Sequence, residues 1–272
     1  MILCERSSHL NPRFSFERKR LMKGKILMAC AAGACMLSSC GRIDKGEKEA
    51  ATVVWSFLGA PGSGKGTIGE QCVKELKFAT VSTGALLRAF GSRQDEMGKQ
   101  IEALVKAGKL VPDDLVANMV KHWLTENMGK YKALIVDGFP RTAEQTKIFL
   151  ELLKKDFPQA MLRIARIVVN NESIVARLSS RLVCSNKSCQ AIFSKTMFKD
   201  GEEENCNKCG SPLIRREDDK EEVVRARLQD YAKNESAIID IYKSSGVKIE
   251  EINAEGKSID QVFQDFTKLV GA

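Results

Sequence analysis

From residue 53 onward, short apolar runs alternate with longer stretches of helical period. Val53–Leu58 is apolar and β-prone except at Ser56, and a helix-forming run follows from Lys65 to about Leu76. Phe78–Val81 is a second short apolar segment. It leads into a helix carrying Leu86, Leu87 and Arg88, with Ser82 or Thr83 at the N-cap. A helix over about Met97–Ala107 stops at Gly108, and Pro112-Asp113-Asp114 opens another that carries Leu115, Val116, Met119 and Trp123. Ala133–Asp137 is compact and apolar, as expected of a buried parallel strand. Helix Ala143–Phe157 and strand Arg163–Val169 continue the alternation. The spacing then predicts helix Glu172–Leu182, with Arg177 and Arg181 one turn apart on one face. Helix Glu221–Tyr242, strand Val247–Ile252 and helix Ile259–Leu269 close the chain. Strands alternating with helices predict an α/β fold built on a parallel sheet.

The junction after the first strand carries chemistry. Gly59, Gly62, Gly64 and Gly66 crowd the loop, and Gly59-x-x-x-x-Gly64-Lys65 lies between a strand and a helix. In that context the glycines let backbone N–H groups turn toward one anion, and the helix N-terminus adds its partial positive charge. A tight turn between core elements accounts for one or two glycines, not for four with a lysine behind them. The hydroxyl residue, Thr67, follows only after the extra Gly66. Asp137 ends its strand and precedes Gly138-Phe139-Pro140-Arg141-Thr142, the position where open α/β sheets place functional residues.

Composition changes this picture little. The chain has 272 residues, 43% hydrophobic and 29% charged, as in a soluble globular protein of one large core or two modest ones. Its formal charge of +8 points to a polyanion partner, but residues 1–49 hold ten Lys/Arg against five Asp/Glu. The rest of the chain is close to balance, which weakens a general nucleic-acid surface. That leader is read separately. From Met22, basic residues precede a short apolar run ending Leu37-Ser38-Ser39-Cys40, which describes a secretory signal and resembles a bacterial lipobox acylated at Cys40. The run is too short to span a bilayer as a stable helix. The reading preferred over that signal is an over-extended start, with initiation at or after Met36 and a cytoplasmic protein.

Nine cysteines are present, and four form a spaced group: Cys184-x4-Cys189-x16-Cys206-x2-Cys209. Two close pairs separated by a short run suit a tetrahedral structural zinc site with no open position. Two disulfides or four unrelated thiols are the alternatives. His9 and His122 are the only histidines. His122 reads as structural or surface, so no catalytic Ser–His or Cys–His pair can be built around a second histidine.

Taken together, GAPGSGKGT, Ser82-Thr83-Gly84 with Arg88, and Asp137-Gly-Phe-Pro-Arg-Thr resemble the adenylate kinase family from residue 52 to the end. The family's phosphate loop has the same extra glycine before the threonine. The resemblance implies a P-loop parallel-sheet core flanked by helices (residues 50–81, 112–180 and 217–272). It also implies a helical monophosphate-binding insert (82–111) and a lid (181–216), of the zinc-binding type in some members. It assigns Gly62, Ser63, Gly64, Lys65, Gly66, Thr67, Arg177 and Lys257 to ATP. Thr83, Arg88, Val111, Gly138, Arg141, Gln145, Arg216 and Arg227 match the AMP side. Lys65, Arg141, Arg177, Arg216, Arg227 and Asp137 match the catalytic groups, with Arg181 among the arginines that close over the phosphates. Asp137 stands beside the Mg2+ of ATP, and Asp218 and Asp219 near the lid hinge. Ala85 departs from the usual Asp, and the first cysteine pair encloses four residues where two are common.

The implied activity is reversible transfer of a phosphoryl group from ATP to AMP by a monomer with no obligate partner. Phosphoryl transfer depends on positioning and charge stabilisation, tasks that guanidinium forks perform well. The AMP phosphate is already largely ionised at neutral pH, so no base is needed. Insert and lid closure would keep water from the γ-phosphate. The nearest alternative is a UMP/CMP kinase on the same core, against which Thr83, Gln145 and the long lid count. The other is a zinc-ribbon nucleic-acid-binding protein, against which the absence of an aromatic stacking platform counts.

Overall fold

The computed structural model describes residues 51–199 and 205–271. The readings at residues 1–49, including the Cys40 lipobox and the Met36 start, lie outside them. In chain order the elements begin with β1 (Val53–Leu58), α1 (Lys65–Leu76), β2 (Ala79–Ser82), α2 (Thr83–Gly91) and α3 (Glu96–Lys106). They continue with α4 (Asp113–Asn127), β3 (Ala133–Asp137), α5 (Ala143–Asp156), β4 (Met161–Val168) and α6 (Asn171–Ser179). Then come β5 (Arg181–Cys184), β6 (Ile192–Ser194), β7 (Leu213–Ile214), α7 (Glu221–Ser244), β8 (Lys248–Asn253) and α8 (Ile259–Val270). No helix among the described residues is long and apolar enough to cross a membrane.

Five strands form a parallel sheet in the order β2-β3-β1-β4-β8, and β5–β7 form a separate three-stranded antiparallel sheet. Successive side chains of a strand point to opposite faces, so a strand buried on both sides is apolar at most positions. Along β1, Val54 joins the cluster beneath α4 and α5, while Trp55 and Phe57 join the cluster beneath α1 and α8. In β3, Leu134 and Val136 face the first group, and Ala133 and Ile135 the second. Phe266 on α8 meets Trp55 and Phe57 edge-on, with ring centroids 5.1 and 5.3 Å apart. Phe139 and Phe149 pair the same way on the other face, at 5.4 Å. Helices therefore cover both faces, and the carboxyl edge of the sheet is left for loops.

The expected strands and helices are present, with ends shifted by a residue or two. One expectation fails. The helix predicted over Glu172–Leu182 ends at Ser179, and Arg181 opens β5. Arg177 and Arg181 therefore do not share a helix face. Ser180 caps the helix, its hydroxyl donating to the Arg177 carbonyl at 3.1 Å. Beyond it Leu182 and Cys184 pack into the small-sheet core, paired with β6 and β7. Long-range strand pairing there overrides a local helical period. At α2, Ser82 occupies the N-cap without a side-chain cap bond, and no acid lies in the first turn, where Ala85 stands.

Candidate active site

Strand register brings the site together. Phe57 of β1 lies beside Asp137 of β3, which lies beside Ser82 of β2. Three loops thus leave the sheet at one level: the glycine loop after β1, the turn into α2, and the Gly138–Thr142 turn. Between them opens a cleft of about 760 Å³, lined by the loop and Thr67, by Arg88, Asp137 and Arg141, and by Arg177, Arg181, Arg216 and Arg227.

Gly64 is the N-cap of α1 with φ 99°, a left-handed conformation that suits glycine. Curling of the loop brings the Lys65 ammonium to donate to the carbonyls of Gly59 (2.7 Å) and Ala60 (2.8 Å) and to the Ser63 hydroxyl (3.2 Å). Withdrawal from solvent is the main cause that pushes the Lys65 pKa down, to about 8. Asp137 opposes this shift, and Arg141, Arg227 and Arg181 add to it. A β-carbon on Gly66 would sit 3.6 Å from Asp137 Oδ2, an ordinary contact distance, so the start of α1 lies against the acid. Asp137 is 8% exposed, and its Oδ1 is buried without a protein partner.

On the opposite side Gly138 (φ 83°) is a required glycine. A β-carbon there would lie 2.7 Å from Thr83 Oγ1 and 2.9 Å from an Arg141 terminal nitrogen. Thr83 Oγ1 donates to the Asp137 carbonyl at 3.2 Å, and Arg141 Nε donates to the Gly138 carbonyl at 2.7 Å. Gln145 is buried and doubly tied: its Oε1 accepts from the Arg141 backbone N–H at 2.7 Å, and its Nε2 donates to Asp113 at 2.6 Å. A small recess of about 50 Å³ extends from this corner. Thr83, Arg88, Val111, Gly138, Arg141, Gln145 and Arg227 all line it, whereas Arg216 lines the larger cleft.

The remaining arginines come from distant elements. Arg177 donates to the Ala254 carbonyl at 3.0 Å. Arg181 forms a two-pronged bond with buried Asp219, and Arg227 donates to Asp218 Oδ2 at 2.9 Å. Burial, followed by the charges of Arg88 and Arg181, drives the Arg216 pKa to about 9. Burial likewise lowers Arg88, Arg141 and Arg227; Asp218 opposes the shift in each, and neighbouring arginines add to it. Crowded cations of this kind are an unfavourable arrangement that a polyanion relieves. Lys257 also lines the cleft and pairs with Asp265 at 2.7 Å. His122 lies on the surface 3.4 Å from Glu126, away from the cleft.

Sequence reasoning did not single out Asp113, which anchors Gln145, or Gln190, whose Oε1 accepts from Arg88 Nε at 3.2 Å. Asp113 was visible only as a helix-opening residue, and the contact of Gln190 spans 102 positions, leaving no local signal.

Two groups of donors suit metal ions. The sulfur atoms of Cys184, Cys189, Cys206 and Cys209 all lie within 4.8 Å of one another, with Cys184–Cys209 at 3.3 Å and Cys189–Cys206 at 3.7 Å. These separations exceed a disulfide bond of about 2.05 Å, and the thiols are free. An ion with four Zn–S bonds of about 2.3 Å would hold its sulfurs about 3.8 Å apart, so the cluster fits one. The orphaned oxygen of Asp137, in front of the glycine loop, suits a hard, hydrated cation.

The adenylate kinase family model matches residues 57–247. The adenylate kinase of Petrotoga mobilis is 38% identical over 189 residues, 70% of this chain and 85% of the relative. That of Thermosipho africanus is 35% identical over 214 residues, covering 79% and 97% of the two chains. The adenylate kinase of Archaeoglobus fulgidus is 36% identical over 191 residues, 70% and 86%. A glycine loop, a strand-end acid and converging arginines, in a sequence matched over most of its length, place this chain in the adenylate kinase family.

Proposed function

We propose that the chain catalyses reversible transfer of the γ-phosphoryl group of ATP to AMP, giving two ADP, with Mg2+ accompanying ATP. One observation carries the reading: the glycine loop with Lys65 and the Arg88–Arg141 corner line the same cleft. Its volume lies toward the upper end of the roughly 300–1,000 Å³ usual for ligand sites. Residues 62–67 take the ATP phosphates, with Arg177 and Lys257 on the same nucleotide. Thr83, Val111, Gly138 and Gln145 seat AMP, and Arg88, Arg141, Arg216 and Arg227 hold its phosphate. An AMP phosphate oxygen forms the new bond to the γ-phosphorus as the bond to the β,γ-bridging oxygen breaks. ADP departs with that oxygen, and no proton need be removed. Lys65 and the arginines neutralise the charge on the transferring oxygens.

Asp137 would hold the waters of Mg2+, which supplies charge neutralisation on the β- and γ-phosphates when bound. The four cysteines would hold a structural Zn2+ in the β5–β7 lid, residues 181–216, with residues 82–111 as the AMP insert. The family resemblance implies action as a monomer. A reaction consuming ATP and a four-thiolate site both suit the reducing cytoplasm. Mass spectrometry of the native N-terminus checks that placement, and an acylated Cys40 would contradict it.

Lys65→Ala tests the assignment of the loop. Turnover should fall at least about a hundredfold, the scale of losing a charged group that stabilises a transition state. AMP affinity should change by less than about threefold, since a group confined to the ATP side contributes little to AMP binding. Equal losses in both would contradict the role.

A further inference from the structure

The two cysteine knuckles of the small sheet end alike in backbone and differently in side chain. Gly210 follows Cys209 with φ 74°, its N–H bonded to the Cys206 carbonyl at 2.7 Å. Gln190 follows Cys189 with φ 49°, its N–H bonded to the Asn186 carbonyl at 3.0 Å. Both positions are left-handed, which glycine adopts without strain and glutamine does not. A β-carbon at Gly210 would meet nothing within 4 Å. The side chain of Gln190 instead spans two elements. Its Nε2 donates to the Lys187 carbonyl at 3.1 Å within the knuckle, while its Oε1 accepts from Arg88 Nε on α2 at 3.2 Å. Lys187 belongs to the four-residue interval that sets the first cysteine pair apart from the second. The longer knuckle thus supplies the carbonyl that orients the amide.

Arg88 is one of a matched pair. Arg141 has its Nε tied to the Gly138 carbonyl, and the terminal nitrogens of both arginines converge over Gly84. A β-carbon there would lie 3.2 Å from Arg88 and 3.8 Å from Arg141. Tying down each Nε fixes the plane of a guanidinium and aims its terminal fork, the geometry that a phosphate demands. Arg141 receives this support from its own turn. Arg88 receives it from the cysteine-bearing segment. A bond from the second knuckle to α1, Lys208 to Glu70 at 3.5 Å, joins two well-exposed side chains and contributes little.

We propose that Gln190 is a positioning residue for the monophosphate. It aims Arg88 from the metal knuckle, so that seating of the small sheet and affinity for AMP are coupled. The proposal rests on the assignment of Arg88 to the AMP phosphate, and the test separates the two. Gln190→Gly removes the amide and relieves the left-handed backbone, so folding and metal content should be preserved. The KM for AMP should rise about fivefold to tenfold, the scale of one partly exposed hydrogen bond to a charged group. The KM for ATP, zinc content and Tm should be unchanged, or Tm slightly higher. In the Arg88→Lys background, Gln190→Gly should add no further loss, because the Nε that it serves is gone.

An unaltered KM for AMP in Gln190→Gly, alongside a raised one in Arg88→Lys, overturns the positioning role and leaves the assignment of Arg88 intact. A normal KM for AMP in Arg88→Lys overturns both. Loss of zinc, or parallel rises in both KM values, would show that Gln190 only holds the knuckle together, and equally overturns the proposal.

Discussion

Lys65 holds its ammonium against two carbonyls of its own loop, with its pKa brought from the usual 10.5 to about 8. Between those values the unfolded chain keeps a proton that the folded chain has lost. Stability of the ligand-free enzyme therefore gains with rising pH across that window from this group, and the penalty of burying the cation is fully present below it. A bound triphosphate reverses the balance, because it favours the charged lysine. The KM for ATP should be flat up to about pH 8 and then climb toward about tenfold per pH unit as the cation is lost. A KM for ATP unchanged to pH 10 would contradict that role. At this scale the sequence was partly transparent. Gly66 registered as an irregularity in the spacing, and the structure places it beside Asp137, where a β-carbon would make only ordinary contact. The partners of Arg181 and Arg227, Asp219 and Asp218, sit 38 and 9 positions away, and nothing in the local pattern pairs them.

At the scale of elements, β1 and β3 were legible because strands buried on both faces read as nearly continuous apolar runs, and their ends coincide with glycine turns. The small sheet was not. Its strands are four, three and two residues long, too short for periodicity to register. The helical pattern through Glu172–Leu182 ran on across Ser180, where the chain turns into β5. The four cysteines carry that region instead: chemistry marks what periodicity does not. A cluster of six buried residues, two of them cysteines, is a small core for three short strands, so a metal should contribute much of its order. Metal analysis of purified protein should give one zinc per chain, and chelation should lower Tm. Zinc-free protein that is fully active and equally stable would contradict a structural metal.

Over the whole molecule, the parallel sheet covered on both faces leaves its carboxyl edge as the place where distant segments meet. The register aligning Phe57, Asp137 and Ser82 brings the glycine loop, the acid and the turns carrying Thr83 and Arg141 to one level. Residues 177–227 add arginines from the other side of the cleft. Each motif could be read alone in the sequence as a phosphate cradle, a strand-end acid or a scattered arginine. That they share a single cleft follows only from the fold, and it turns one phosphate site into a site for two. The proposed reaction is passage of a phosphoryl group from ATP to AMP across this cleft. It is tested most directly by supplying ATP and Mg2+ with AMP, UMP, CMP or GMP in turn and following diphosphate formation. Rapid transfer to AMP is expected, with two ADP formed for each ATP consumed, and weak transfer to the others. Transfer confined to UMP and CMP, or none to any acceptor, would contradict it.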